Sequence, residues 1–108
     1  METKLVSQAF KMFFEEAPQH ATAWMEMVQQ TAANSALDNK TQTLASISVL
    51  AAMRLISGIP FHVQHAKQAG ASREEVISAI LVGLPAAGHV VTQALPVAVE
   101  AYDSQDTR

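Results

Sequence analysis

The chain has 108 residues, a formal net charge of −3 and no cysteine. This length predicts one domain spanning residues 1–108. The few basic residues of this acidic chain are scattered, so nothing indicates nucleic-acid binding, and the missing thiols exclude disulfides and all thiol chemistry. Only 16% of residues are charged, against about a quarter in an average domain. We therefore expect further copies of the chain to cover part of its apolar surface.

Two amphipathic helices are predicted in the first third of the chain, residues 1–33. Over residues 3–16, apolar side chains such as Phe10 and Phe13 recur at helical spacing. Pro18 separates this helix from a second one at 19–33, which carries Trp24 and nearby methionines. We expect these large side chains to pack against neighbours rather than bind a ligand. The first residues show no signal-peptide pattern, so a cytoplasmic protein is expected.

The next helix is predicted to be central because it is apolar nearly all round. Asp38 can cap its start by accepting from the N–H of Lys40 or Thr41. The helix is expected to run to about Ser57. Arg54 is the only formal charge between Lys40 and Lys67, and a buried arginine would need a carboxylate partner from a substrate or from the protein itself.

The stretch 55–75 carries the clearest helix boundaries and a pair of histidines. Gly58 is placed to end the central helix and Pro60 to begin a short one at about 60–69. Gly70 then ends the short helix. Ser72 followed by Glu75 has the spacing of a capping box at the start of the next helix. His62 and His65 are three residues apart and therefore share a face of the short helix.

The remaining chain is long, apolar and repeatedly interrupted. No residue from Val76 to Val99 carries a formal charge when His89 is neutral. Gly83, Pro85, Gly88 and Pro96 interrupt this stretch, so we interpret it as a buried bend between helices 73–84 and 89–102 and not as a membrane span. With no alternating strand pattern, the sequence predicts an all-α bundle of about six helices.

Several segments between Leu37 and Asp103 resemble the carboxymuconolactone decarboxylase family, which includes the alkyl hydroperoxidase AhpD group. They are Leu37-Asp38-Asn39-Lys40-Thr41, Ile59-Pro60-Phe61-His62-Val63, the run from Ala66 to Val76, Gly83 to Gly88, and Ala98-Val99-Glu100-Ala101-Tyr102. The resemblance implies an AhpD-like helical fold over a family core at 37–103. It also implies an obligate homo-oligomer, usually a trimer or a hexamer.

The resemblance also marks where this chain departs from the redox members of the family. Those members carry a Glu, a Cys-x-x-Cys pair and a His four residues after the second Cys. Aligned on His62, the two Cys positions fall on Leu55 and Gly58, and the Glu position falls on Thr43. Peroxidase and disulfide-reductase chemistry requires a nucleophilic and a resolving thiol, so it is rejected here.

Decarboxylase members lack the Cys pair, and the resemblance implies a lyase that acts on a lactone carboxylate. Their basic residue after Lys-Thr corresponds to Gln42 in this chain. His62 is the residue that matches the family's functional motif, and an imidazole could move the proton at the carbon that loses CO₂. The alternative is a core histidine bonded to a backbone carbonyl.

Three further residues are candidates for substrate binding. His65 could assist His62 or be a half-buried or interface histidine, because an i,i+3 pair without a nearby carboxylate is a weak metal signal. His89 could reach the same site or only cap its helix. Arg54 could anchor an anion or pair with a glutamate. No metal and no cofactor are expected.

Two functions of different class follow. The first is a non-redox lyase acting on a small lactone or carboxylate, in a pocket at a subunit interface, with His62 in proton transfer. The second is a ligand-binding or structural oligomer without catalysis, in which His62 would be sealed in apolar surroundings.

Overall fold

The computed structural model describes residues 7–104, and every regular element in that range is helical. Two 3₁₀-helices, Ile56–Gly58 and His89–Ala94, lie between α3 and α4 and between α6 and α7. The α-helices in chain order are α1 Gln8–Glu16, α2 Pro18–Ala33, α3 Asn39–Ala52, α4 Ile59–Gln68, α5 Arg73–Leu81, α6 Leu84–Ala87 and α7 Leu95–Asp103. The all-α prediction is confirmed for this range, although the elements are shorter and more numerous than expected.

The core bundle consists of α3, α4, α5, α7 and the 3₁₀-helix His89–Ala94, with α3 at its centre. α3 packs against α4, α5 and that 3₁₀-helix, and α4 packs against α7. Small and β-branched side chains fill the interior, which lets the helix axes approach closely. The buried set is Ile47, Ala51, Ile59, Val63, Ala66, Ala71, Val76, Ile80, Val91, Ala94, Ala98 and Ala101.

α3 ends five residues earlier than predicted, at Ala52 instead of Ser57. Arg54 adopts a left-handed conformation with φ of 61°. The N–H of Leu55 donates to the carbonyl of Leu50, and the N–H of Arg54 donates to the carbonyl of Ala51. These two bonds form a Schellman cap, which a glycine normally occupies. The prediction that Arg54 is buried in the central helix is therefore wrong. Arg54 is exposed and lies beyond the end of α3. It makes no ion pair with any of residues 7–104.

The boundaries of α4 and α5 follow the predicted signals more closely. Pro60 lies in the first turn of α4. Gly70, with φ of 99°, closes α4 with the same two-bond cap that Arg54 gives α3. Ser72 and Glu75 form the predicted capping box in full. Gly58, expected to end α3, instead closes a separate 3₁₀-turn directly before α4.

The apolar C-terminal third bends as predicted, but its helices begin and end at other residues than expected. α5 ends at Leu81, and Pro85 lies in the first turn of the short α6 instead of breaking a helix. Gly88, with φ of 84°, ends α6. The predicted single helix at 89–102 divides into a 3₁₀-helix and α7, with Pro96 in the first turn of α7. Among the helices of residues 7–104, none has both the length and the apolar character needed to cross a membrane.

α1 and α2 form an N-terminal hairpin that stands against the core bundle. Its helices contact each other through aromatic rings, with the Trp24 ring centroid of α2 at 5.2 Å from that of Phe10 and 6.5 Å from that of Phe13 in α1. Within the described part of the hairpin, only Ala21 is fully buried. The predicted residues 3–6 of the first helix lie outside the described range. The hairpin therefore adds little to the common interior and leaves space between itself and the core bundle.

Candidate functional site

A cavity of about 440 Å³ lies between the N-terminal hairpin and the core bundle. One wall comes from α1 and α2, and the other comes from the first half of α3 and the first turns of α4. The lining residues are Ser7, Phe10, Trp24, Met25, Val28, Ala32, Asn39, Gln42, Thr43, Ser46, Ser57, Gly58, Phe61, His62 and His65. This volume lies within the range of about 300–1,000 Å³ that is typical of small-molecule sites.

His62 lies in the cavity wall with a defined hydrogen-bond arrangement. Its Nδ1 is 2.9 Å from the carbonyl oxygen of Gly58. A carbonyl can only accept, so Nδ1 carries the proton of the neutral ring and Nε2 carries the lone pair. Nε2 makes no hydrogen bond to any of residues 7–104. The ring is thus oriented by the backbone just before α4 and keeps one basic nitrogen available.

Phe61 lies next to both histidines of α4. Its ring centroid is 5.6 Å from that of His62, in an edge-to-face arrangement, and 6.2 Å from that of His65. His62 is half-buried and His65 is exposed. The predicted shared face is therefore observed: both imidazoles line the same cavity with an aromatic ring against them.

The other two predicted binding residues lie elsewhere in the chain's own structure. Arg54 caps α3 and does not line the cavity. His89 is exposed at the start of a 3₁₀-helix, where its carbonyl accepts from the hydroxyl of Thr92. The structure thus brings His62 and His65 together in the cavity wall and places Arg54 and His89 outside the cavity.

The family model of the carboxymuconolactone decarboxylase family matches residues 18–100. The chain belongs to this family. Comparisons with curated proteins and with solved structures give no match. The match begins at Pro18 and therefore includes α2, whereas the sequence resemblance began only at Leu37.

Three positions that the sequence resemblance aligned with a redox motif can now be located in the structure. Thr43, where redox members of the family carry a glutamate, is buried in the cavity wall and donates its hydroxyl to the carbonyl of Asn39 at 2.8 Å. Gly58, at the second Cys position, also lines the cavity, whereas Leu55, at the first, is exposed outside it. The cavity thus includes two of the positions that the resemblance aligned with a redox motif, Thr43 and Gly58.

Sequence reasoning missed several lining residues of this family member. Trp24 packs against Phe10 as expected, but it also faces the cavity with Met25. Asn39 and Gln42 were also missed. The sequence did contain a signal for the two amides, because the polar residues 39, 42, 43 and 46 recur at helical spacing along one side of α3.

A second, open groove of about 530 Å³ runs between α3 and α5, and its polar groups serve the fold. Lys40 pairs with Glu75 at 3.1 Å. The backbone N–H of Ser72, followed by Lys40, lowers the pKa of the Glu75 carboxyl below its ordinary value. Residues 7–104 contain no cluster of three or more His, Cys, Asp or Glu side chains that could hold a metal ion.

Proposed function

We propose that this protein binds a small lactone or carboxylate in the hairpin cavity and that His62 transfers a proton to or from it. The observation that carries the proposal is the arrangement of His62: it lines the cavity, Nδ1 donates to the Gly58 carbonyl, and Nε2 is left with its lone pair. A positioned imidazole can give a proton or accept one, and so suits both general-acid and general-base catalysis.

For a carboxylate substrate, the proposed step is a decarboxylation. The bond between the ring carbon and the carboxylate breaks, CO₂ leaves, and the electron pair stays on the ring carbon. The imidazolium form of His62 then delivers its Nε2 proton to that carbon and becomes neutral. The Gly58 carbonyl keeps Nδ1 protonated throughout and fixes the plane of the ring. His65, on the same wall, contributes to binding.

For a lactone substrate, neutral Nε2 takes a proton from the carbon next to the ring carbonyl. The C–H electron pair moves onto the carbonyl oxygen, and the proton returns from the imidazolium to the same or a conjugated carbon. Thiol redox chemistry is outside both routes because the chain has no cysteine.

We also propose that the working form is a cytoplasmic homo-oligomer, a trimer or a hexamer. Large apolar side chains are exposed over the surface of the single chain, which supports contacts between copies. They are Met12, Trp24, Met27, Val28, Leu37, Val49, Met53, Leu55, Phe61, Val82 and Leu84. These side chains equally support the second candidate function, a non-catalytic ligand-binding or structural oligomer.

Substitution of His62 by Gln tests the catalytic proposal. The assay is proton NMR in D₂O, which follows deuterium uptake or turnover in five-membered unsaturated lactones with and without a carboxylate substituent. Loss of a positioned acid–base group should slow the reaction roughly 10²–10⁴-fold. The control is His20→Gln, which changes an exposed imidazole of α2 away from the cavity.

Wild-type rates in the His62→Gln protein would contradict the catalytic role. Binding without turnover by the wild-type protein would favour the non-catalytic candidate. His89→Gln and Arg54→Gln complete the series, because a loss of rate with either would place that residue at the site of the assembled oligomer.

A further inference from the structure

We infer that the hairpin cavity selects an uncharged ring compound that carries a carbonyl or hydroxyl group and discriminates against the corresponding carboxylate. This inference rests on the proposed function, because it takes the same cavity as the binding site. Of the two ligand classes in the proposed function, lactones and carboxylates, it selects the uncharged lactones.

The first observation is the absence of formal charge from the wall. None of the lining residues within the described range 7–104 is Asp, Glu, Lys or Arg. The neighbouring charges lie on other surfaces: Lys40, beside the lining residue Asn39, pairs with Glu75 in the opposite groove, and Arg54 caps α3. A carboxylate entering this cavity while the His62 and His65 imidazoles are neutral would lose water without gaining an ion pair, which is unfavourable.

The second observation is a set of uncharged hydrogen-bonding groups that are available to a ligand. The side chains of Asn39, Gln42 and Ser57 line the cavity and make no hydrogen bond to any other described residue. In contrast, the hydroxyls of Thr43 and Ser46 already donate to main-chain carbonyls of α3. Free amides and a free hydroxyl can satisfy a ligand carbonyl or hydroxyl without charge.

The third observation is the aromatic character of both walls. Phe10 and Trp24 meet edge to face in the hairpin, with an interplanar angle of 76°, and Phe61 lies on the α4 side. Aromatic rings favour offset-stacked and edge-to-face contacts with other flat rings. A ring compound placed between the hairpin and α4 would therefore contact aromatic surface on both sides.

Gln42 is the position in this wall where an added charge would test the inference most directly. It lies in α3, is half-buried and lines the cavity with a free amide side chain. An arginine there would place a guanidinium at the cavity, where it could form paired hydrogen bonds with a carboxylate. The neutral amide of this chain provides no such partner.

The test compares a lactone with its own ring-opened acid, phthalide against 2-(hydroxymethyl)benzoate, by isothermal titration calorimetry on the full-length protein. The measurement is made at about pH 8, where the carboxyl group of 2-(hydroxymethyl)benzoate is fully ionised. We expect phthalide to bind at least roughly tenfold more tightly, because the carboxylate is desolvated without a partner. Equal or tighter binding of 2-(hydroxymethyl)benzoate would overturn the inference, as would no measurable binding of either compound.

Gln42→Arg supplies the internal comparison, with Gln93→Arg as the matched control. Gln93 is exposed in the 3₁₀-helix His89–Ala94, away from the cavity, so its replacement adds the same charge elsewhere. We expect Gln42→Arg to reverse the preference towards 2-(hydroxymethyl)benzoate and Gln93→Arg to leave it unchanged. The same shift in both variants would show that net charge, and not the cavity wall, sets the preference, and would overturn the inference.

The outcome is separable from that of the proposed function. Loss of turnover in His62→Gln together with a preference for 2-(hydroxymethyl)benzoate would overturn this inference alone. A preference for phthalide together with full turnover in His62→Gln would overturn the proton-transfer proposal alone.

Discussion

The N-terminal hairpin and the core bundle are both helical and apolar, yet they use their apolar residues differently. The core bundle buries aliphatic side chains such as Ile47, Val63 and Ile80 completely. The hairpin keeps its aromatic residues half-buried or exposed, in contact mainly with one another. Burial of apolar surface is the main stabilising contribution to a fold. The core bundle therefore carries the stability of the chain, and the hairpin serves as a wall of the cavity.

This difference matters for function because the cavity lies between the two regions. The core bundle holds His62 on a helix whose start is fixed by Pro60 and whose end is fixed by Gly70. The hairpin contributes Phe10 and Trp24 from helices with few buried contacts. A rigid wall that carries His62 thus faces a wall that is able to adjust, because regions with few buried contacts open at low free energy.

The largest expected effect is on core packing. Ile80→Ala should lower the free energy of unfolding by about 2–5 kcal/mol, because Ile80 is fully buried and its truncation leaves a cavity. Gln29→Ala in the hairpin truncates an exposed polar side chain of α2 and should change the free energy of unfolding by less than about 0.5 kcal/mol. Urea denaturation measures both values. A cost for Gln29→Ala close to that of Ile80→Ala would break the comparison between the two regions.

The next largest effect on stability is expected from substitutions at the helix ends. α3 and α4 in the core bundle are each followed by a left-handed residue two positions after the helix end, Arg54 and Gly70, whereas Ser35, at the same position after α2 of the hairpin, is not left-handed. A β-carbon is disfavoured in the left-handed region, so Arg54→Gly should stabilise the fold by about 1 kcal/mol. Gly70→Ala should destabilise it by about 1–2 kcal/mol, although a β-carbon there would meet no atom within 4 Å.

Arg54→Ala is the control for this pair, because it removes the guanidinium but keeps the β-carbon. Thermal unfolding of all three variants measures the differences. If Arg54→Ala stabilised the fold as much as Arg54→Gly, the side chain and not the backbone conformation would be the source of the strain.

The smallest expected effect is the response of the core bundle to acid. The backbone N–H of Thr41 lowers the pKa of Asp38, and the Arg73 guanidinium lowers the pKa of Asp103. A carboxyl with a lowered folded-state pKa stabilises the fold above its unfolded value, near pH 4, and this contribution disappears as the pH falls through the folded value. We therefore expect the denaturation midpoint to fall as the pH drops from about 5 to 3.

Asp38→Asn isolates one part of this response. Asparagine is as good an N-cap as aspartate, so the variant and the wild-type protein should have similar midpoints near neutral pH. Below about pH 4 the denaturation midpoint of the variant should fall less than that of the wild-type protein, because the asparagine cap cannot be protonated. An equally steep loss in both proteins would show that the charge of Asp38 does not contribute to the pH dependence.

Most of the helix starts could be predicted because their signals are local. Asp38 bonds the N–H of Thr41 at 2.7 Å, and Ser72 with Glu75 forms the capping box, both as the sequence indicated. Helix ends were harder. The early end of α3 could not be predicted, because its left-handed residue is Arg54 and not the glycine that normally marks such a cap.

The candidate site could be predicted only in part. The i,i+3 spacing of His62 and His65 on one helix is a local fact, and it correctly placed both on one face. The distances of Arg54 and His89 from that face depend on where α3 ends and on how the apolar third bends. Neither follows from spacing along the chain.

By itself, the sequence determined the helical class, the main helix starts, the absence of thiol chemistry and the family. Each of these depends on residue types over a few positions, which act through backbone geometry and local hydrogen bonds. Only the tertiary structure decided that the hairpin stands off the core bundle, that a cavity lies between them, and that Gln42 lines it while Arg54 does not. Those outcomes depend on packing between residues far apart in the chain, because a side chain's partner across a gap is set by the positions of whole helices.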